Sequence, residues 1–194
     1  MVTTVGRRER KKAATRQKIA DSALRLFLQK GYDAVGIRDI AEDADVAVTT
    51  LFLHFPSKEA LVFAQDREFE DRLVAAVGTE DADTPLIPAL HQCIAEMVRH
   101  CAAGDQIPIR RMIDQSPALQ AYEDSMLVRY AKTLAAAISD RVDQGRPTTG
   151  SNALARFVVD AYAIAREADD PGAALDETFG MINEAWGVAR AGRA

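Results

Sequence analysis

The chain has 194 residues, is 48% hydrophobic and 27% charged, and carries a net charge of −5. That length buries a substantial core without covalent staples and suits one large domain, or a small domain and a larger one. The overall acidity argues against a nucleic-acid partner only when read globally: residues 1–58 carry +4 and residues 59–194 carry −9, a basic end suited to a polyanion joined to an acidic body that is not.

No run of about 18 apolar residues occurs, so no transmembrane helix is expected. The basic run from Arg7 to Lys12 has no apolar stretch behind it, so no secretory signal is expected either. Cys93 and Cys101 fall in one predicted helix with their Cα atoms roughly 12 Å apart, beyond the roughly 7 Å limit of a disulfide. Reduced thiols fit a cytoplasmic setting.

In chain order, residues 1–11 are polar, basic and aperiodic and predict a mobile arm. From Lys12 to Lys30, Ile19, Ala23, Leu26 and Phe27 line one face of a helix, which Gly31 closes. Ile37 to Ala44 predicts a short second helix behind Gly36, and Asp45-Val46 breaks the pattern. Val48 to His54 predicts a third, with Leu51, Phe52 and Phe55 facing inward, and Pro56 ends it. Ser57 is a plausible N-cap for a long fourth helix, Lys58 to Val77. Gly78 to Pro88, with Glu80, Asp81 and Asp83, reads as a loop. Helices follow from Leu86 to Ala103, from Ser116-Pro117 to Asp143, from Ser151 to Ala168 and from Pro171 to Arg190, with a short segment ending at Asp114. No strand pattern appears. The expectation is an all-α chain of about nine helices: a basic arm (1–11), a three-helix head (12–58) and a helical body (59–194).

Three short helices with a tight turn before the third make a helix-turn-helix unit. Such a unit lays its last helix in the major groove of DNA. The run Thr15-Arg16-x-x-Ile19, Leu26-Phe27, Gly31-Tyr32, Ile37-x-x-Ile40-Ala41, Ala44-x-Val46 and Leu51-Phe52-x-His54-Phe55-x-Ser57-Lys58-Glu59-x-Leu61 resembles the TetR family of transcriptional regulators. The resemblance covers about residues 15–61. It implies DNA-facing roles for Val48, Thr49, Thr50, Leu53 and His54 on the recognition helix. Hydroxyls of Thr49 and Thr50 would serve phosphates or bases, and Val48 a thymine methyl. Lys58 and Arg38 would meet phosphates, and Arg7, Arg8, Arg10, Lys11 and Lys12 would follow the backbone or enter the minor groove. Four positions depart from the family pattern. Gly36 and Ala47 replace hydroxyl caps, Asp45 replaces a turn glycine, and Phe52 replaces a tyrosine whose hydroxyl binds phosphate. No Arg or Asn stands on the recognition helix, so little bidentate base reading is expected.

In the body, Leu154, Phe157, Val158, Ala161 and Tyr162 form one helical stripe, and Leu175, Phe179, Ile182 and Trp186 another. The resemblance implies that these two helices pair across a two-fold axis; packing within one subunit is the other use of such stripes. It also implies a small-molecule pocket among the middle helices. Phe63, Met97, Met112, Tyr122, Met126 and Tyr130 are candidate lining, with Arg110 beside an anionic group; plain core is the alternative for each. Cys93, Met97 and Cys101 share a face, but its ends are too far apart for one ion, and no metal or cofactor is expected. There is no glycine-rich phosphate loop, nucleophile elbow or H-E-x-x-H motif. The expectation is a non-enzymatic, homodimeric bacterial repressor whose partners are an operator duplex and a small apolar or amphipathic effector, with no membrane.

Overall fold

In the computed structural model, which describes residues 6–78, 85–143, 145–146 and 148–191, every regular element is an α-helix. They are α1 (Arg7–Lys30), α2 (Ile37–Asp43), α3 (Val48–His54), α4 (Glu59–Val62) and α5 (Asp66–Val77), then α6 (Leu86–Cys101), α7 (Ile107–Asp114), α8 (Pro117–Val142), α9 (Thr149–Glu167) and α10 (Pro171–Ala191). None is long and apolar enough to cross a membrane. The expected acidic loop over Glu80, Asp81 and Asp83 lies outside the described residues.

Two boundaries differ from the sequence expectation. The helix expected from Lys12 begins at Arg7, so the basic residues 7–11 are helical rather than a mobile arm. Arg, Lys, Ala and Glu are strong helix formers, and Glu9 in the first turn complements the helix dipole. A helix already nucleated further along extends through such residues without needing an apolar face. The long fourth helix is two, α4 and α5, which raises the count to ten among the described residues. The break falls at Phe63, whose backbone is non-helical (φ −100°, ψ 44°). The next carbonyl, that of Ala64, accepts from the Arg16 guanidinium at 3.0 Å instead of from a helical amide.

The helices gather into two compact units. The first runs up to Ala64 and takes in Pro108–Tyr122. Its core is Ile19, Ala23, Phe27, Val35, Ile40, Ala41, Leu51, Phe55 and Leu61, joined by Ile113 and Leu119. The α1 face read from the sequence is therefore the face that packs on α2, α3 and α4.

The second unit holds Gln65–Ile107 and Glu123–Ala194. Here α9 packs on α10 and both pack on α6. Thr148 caps α9: its hydroxyl accepts from the Ser151 amide at 3.1 Å, and the Ser151 hydroxyl accepts from the Thr148 amide at 2.9 Å. Two polar ties cross its interior. Arg166 pairs with the buried Glu123 at 2.6 Å. Arg129 donates to Asp66 and Glu70, while the Tyr130 hydroxyl donates to Asp66 at 2.5 Å and Thr133 to Glu70 at 2.6 Å. Asp66 and Glu70 of α5 thus both have partners on α8, as desolvated charge requires.

The stripes expected to pair two subunits are mostly used inside one. Leu154, Val158, Ala161, Tyr162, Leu175, Phe179 and Ile182 are all buried within the single chain. They face one another and α6, because a helix in a three-helix layer needs its widest apolar stripe for its own core. Of the residues named for that seam, Phe157 is exposed and Trp186 half-buried. The expected pocket residues also divide. Phe63, Arg110, Met112 and Tyr122 belong to the first unit, and Met97, Met126 and Tyr130 to the second. Phe63 stacks on Tyr122 with ring centroids 5.4 Å apart, Arg110 pairs with Asp114 at 2.8 Å, and Met97, Met126 and Tyr130 are core. Cys93 and Cys101 are free thiols. Burial pushes the Cys93 thiol up to about 11, and Cys101 Sγ lies 3.3 Å from the Tyr162 hydroxyl.

Candidate nucleic-acid interface

α2, its turn and α3 carry the site. Gly36 precedes α2 in an extended conformation, and its amide donates to Asp39 Oδ2 at 2.7 Å. This is the half of a capping interaction that needs no side chain at the cap. The turn closes through Asp45 N to Glu42 O (3.0 Å) and Val46 N to Ala41 O (2.9 Å). Asp45 takes φ +49°, the left-handed region where glycine is ordinary and Asp is among the better-tolerated side chains. Its carboxylate is almost fully exposed, with Lys18 Nζ at 3.9 Å. Ala47 offers α3 no side-chain cap.

In α3, Leu51 and the following Phe55 are wholly buried. They lie four residues apart on one face, and that face packs the helix into the core of the unit. Phe52 was expected to join them but is 48% exposed. At about 100° per residue it falls beside the buried stripe, not in it. Val48, Thr49 and Leu53 are exposed with it, and Thr50 and His54 are half-buried.

Arg16 holds the end of this helix. Its guanidinium donates to the His54 carbonyl at 2.5 Å and to the Ala64 carbonyl at 3.0 Å, and lies 4.0 Å from the Phe55 ring centroid. Carbonyls at a helix C-terminus have no partner within the helix, so one planar fork satisfies two chain segments. The sequence marked Arg16 only as part of a motif; its role as a tie becomes visible when residues 16, 54 and 64 converge. Burial, then the charges of Arg16 and Lys12, hold the His54 imidazole below its usual 6.5. It is therefore neutral at pH 7, with one nitrogen to donate and one to accept.

Lys58 departs from expectation. Its ammonium donates to the Tyr32 carbonyl at 2.6 Å and sits 4.1 Å from the Tyr32 ring centroid. Burial lowers its pKa, opposed by Asp33 and Glu59. The Tyr32 hydroxyl in turn donates to Glu59 at 3.0 Å. Lys58 is thus an internal tie between the start of α4 and the turn after α1, and any phosphate has to compete for it. Arg38, Arg7, Arg8, Arg10, Lys11 and Lys12 are exposed. They leave the start of α1 basic on the surface of the unit that also presents α3, while in α2 Arg38 stands beside Asp39, Glu42 and Asp43.

Residues 19–64 match the family model of bacterial regulatory proteins of the tetR family. The chain is 48% identical over 71 residues to the HTH-type transcriptional repressor KstR of Mycolicibacterium smegmatis, covering 33% of this chain and 35% of that one. It is 36% identical over 121 residues to the HTH-type transcriptional regulator RutR of Escherichia coli K12, covering 61% and 57%. The chain thus spans between about a third and three fifths of the length of these curated relatives. Among solved structures, the TetR family repressor AlkX of Dietzia has the same fold. Its TM-score is 0.59 at 18% identity, with 87% of this chain and 96% of that one covered.

Proposed function

From this chain's membership of the tetR family of bacterial regulatory proteins, we propose that it is a transcriptional repressor that grips an operator duplex as a dimer and lets go when a small molecule binds its helical body. The observation that carries the reading is the surface of the first unit. The recognition helix is anchored by Leu51 and Phe55 and tied by Arg16, so that its other face stands clear of the core, on a unit with a basic first helix.

The dimer face in this reading is not the stripe that builds the core of the second unit. Phe157 and Ile164 on α9, and Met181 and Val188 on α10, are between 52% and 76% exposed. Each pair is seven residues apart, two helical turns along one face. Burying such a side chain contributes about 1.5–3 kcal/mol, and a two-fold axis counts every one twice. Gly180 and Gly187, with nothing near the position of a Cβ, flatten α10 beside Met181 and Val188 and let a second helix approach closely.

The test is selection from a pool of random-sequence duplexes with the full chain, followed by titration of the recovered duplex at several salt concentrations. The expected winner carries two similar half-sites in dyad relation, and log K falls linearly with log salt at about −0.9 per phosphate contacted. Failure to enrich any duplex at low salt overturns the reading. Native mass spectrometry of the purified protein addresses the effector: a co-purified small molecule that weakens duplex binding when added back is the expected result.

A further inference from the structure

The seven residues of α3 are Val-Thr-Thr-Leu-Phe-Leu-His. None is Arg, Lys, Asn, Gln, Asp or Glu, the side chains that read base edges by paired hydrogen bonds. What the helix presents instead, beside the exposed Thr49, is mostly carbon. Val48 is 36% exposed, Phe52 48% and Leu53 81%, and Leu53 is the most exposed large apolar side chain among the described residues. Val48 and Phe52 are four residues apart, as are Thr49 and Leu53. Val48 and Phe52 therefore form a ridge along the edge of the buried stripe of Leu51 and Phe55, and Thr49 and Leu53 a second ridge further round, on its far side. The same unit exposes Arg38 and the basic start of α1, and although Asp39, Glu42, Asp43 and Asp45 are exposed as well, residues 1–58 keep a net charge of +4, which suits a polyanion rather than an apolar partner.

We propose that α3 selects its operator through thymine methyl groups, with Leu53, Phe52 and Val48 as the specificity-determining residues. The proposal rests on the DNA-binding reading above and deepens it. In the major groove thymine alone presents a methyl, while the other base edges present donors and acceptors. An apolar side chain pressed on guanine O6 and N7 or on cytosine N4 strips away their water and returns no hydrogen bond. Pressed on a thymine methyl, it removes apolar surface on both partners. One buried methyl corresponds to about fourfold in Kd. Two per half-site, in two half-sites, compound to roughly two orders of magnitude, comparable to what one or two bidentate pairs achieve.

The experiment takes the tightest duplex recovered from the random pool and replaces its thymines one at a time by uracil. Pairing is kept and only the methyl is lost. Thymines at the flanks are replaced as controls. The expected result is a rise in Kd of about fourfold at each of two or more thymines per half-site, none at the flanks, and an unchanged salt slope. In Leu53→Ser, whose site is exposed enough to leave the core intact, and separately in Phe52→Ala, at least one of those thymines becomes indistinguishable from uracil. Equal affinity for the thymine and uracil duplexes overturns the proposal and leaves the DNA-binding reading standing. A pool that yields no bound duplex overturns both.

Discussion

Replacing Arg16 by alanine separates a residue that holds the recognition helix from one that touches DNA. The substitution removes the hydrogen bonds to the carbonyls of His54 and Ala64, at 2.5 and 3.0 Å, and the packing over the Phe55 ring at 4.0 Å. Hydrogen bonds from a charged donor contribute about 1.5–3 kcal/mol each, and half-burial argues for the lower end. The contact over Phe55 adds about 0.5–1 kcal/mol. The sum is roughly 3.5 kcal/mol, and for a chain of this length each kcal/mol moves Tm by about 2–4 °C. Thermal unfolding of Arg16→Ala is therefore expected some 7–14 °C below the parent. Duplex affinity is expected to fall because the end of α3 is released, with the salt slope unchanged. Losing a phosphate contact would instead flatten the slope by about 0.9. Arg16→Lys keeps the charge but not the fork, and should recover less than half of the lost stability. An unaltered Tm together with a slope flatter by about 0.9 refutes the account and makes Arg16 a DNA contact.

Three further outcomes follow from the geometry. Phe157→Asp places a charge on the exposed α9 face and is expected to yield a helical monomer by sedimentation velocity; an undiminished dimer would move the interface elsewhere. For Glu59, burial raises the carboxyl pKa, but hydrogen bonds from its own backbone amide and from the Ser57 and Tyr32 hydroxyls, with the Lys58 charge, outweigh it. The result lies below 4.5. Its stabilising contribution is complete above that value and is lost as pH falls through the folded pKa. Glu59→Gln should make the acid limb of a stability-versus-pH curve shallower below about pH 4.5, and a curve parallel to the parent's would deny Glu59 that role. Glu123→Ala leaves the largely buried Arg166 guanidinium, 2.6 Å away in the parent, with the exposed Glu167 carboxylate at 3.3 Å in place of its buried partner. A loss of about 3–5 kcal/mol in urea unfolding is expected, and a loss under about 1 kcal/mol would mean that water reaches the pair.

The head was legible in the sequence because its information is local. Ile19, Ala23, Leu26 and Phe27 repeat at helical spacing, Gly31 stops the helix, and Asp45 stands where a turn demands φ > 0. Each of those facts needs only its near neighbours. Phe52 shows the limit of such reading: its hydrophobicity said inward, yet the one buried stripe of this seven-residue helix runs through Leu51 to Phe55 just past its end and passes Phe52 by.

Local pattern alone carries the all-helical class, most helix boundaries, and a basic head whose recognition helix has no Arg or Asn for bidentate base reading. Which partner each side chain has emerges only where distant segments converge. Lys58 looked like a phosphate ligand and is occupied by a carbonyl 26 positions earlier. Arg16 ties segments 38 and 48 positions away. The apolar stripes of α9 and α10 turned out to be core, leaving Phe157, Ile164, Met181 and Val188 outside. The physical reason is the same in each case. Helical periodicity follows from bonds between residues four apart, but the fate of a charge or an apolar face depends on which distant element desolvates it, and periodicity carries no record of that.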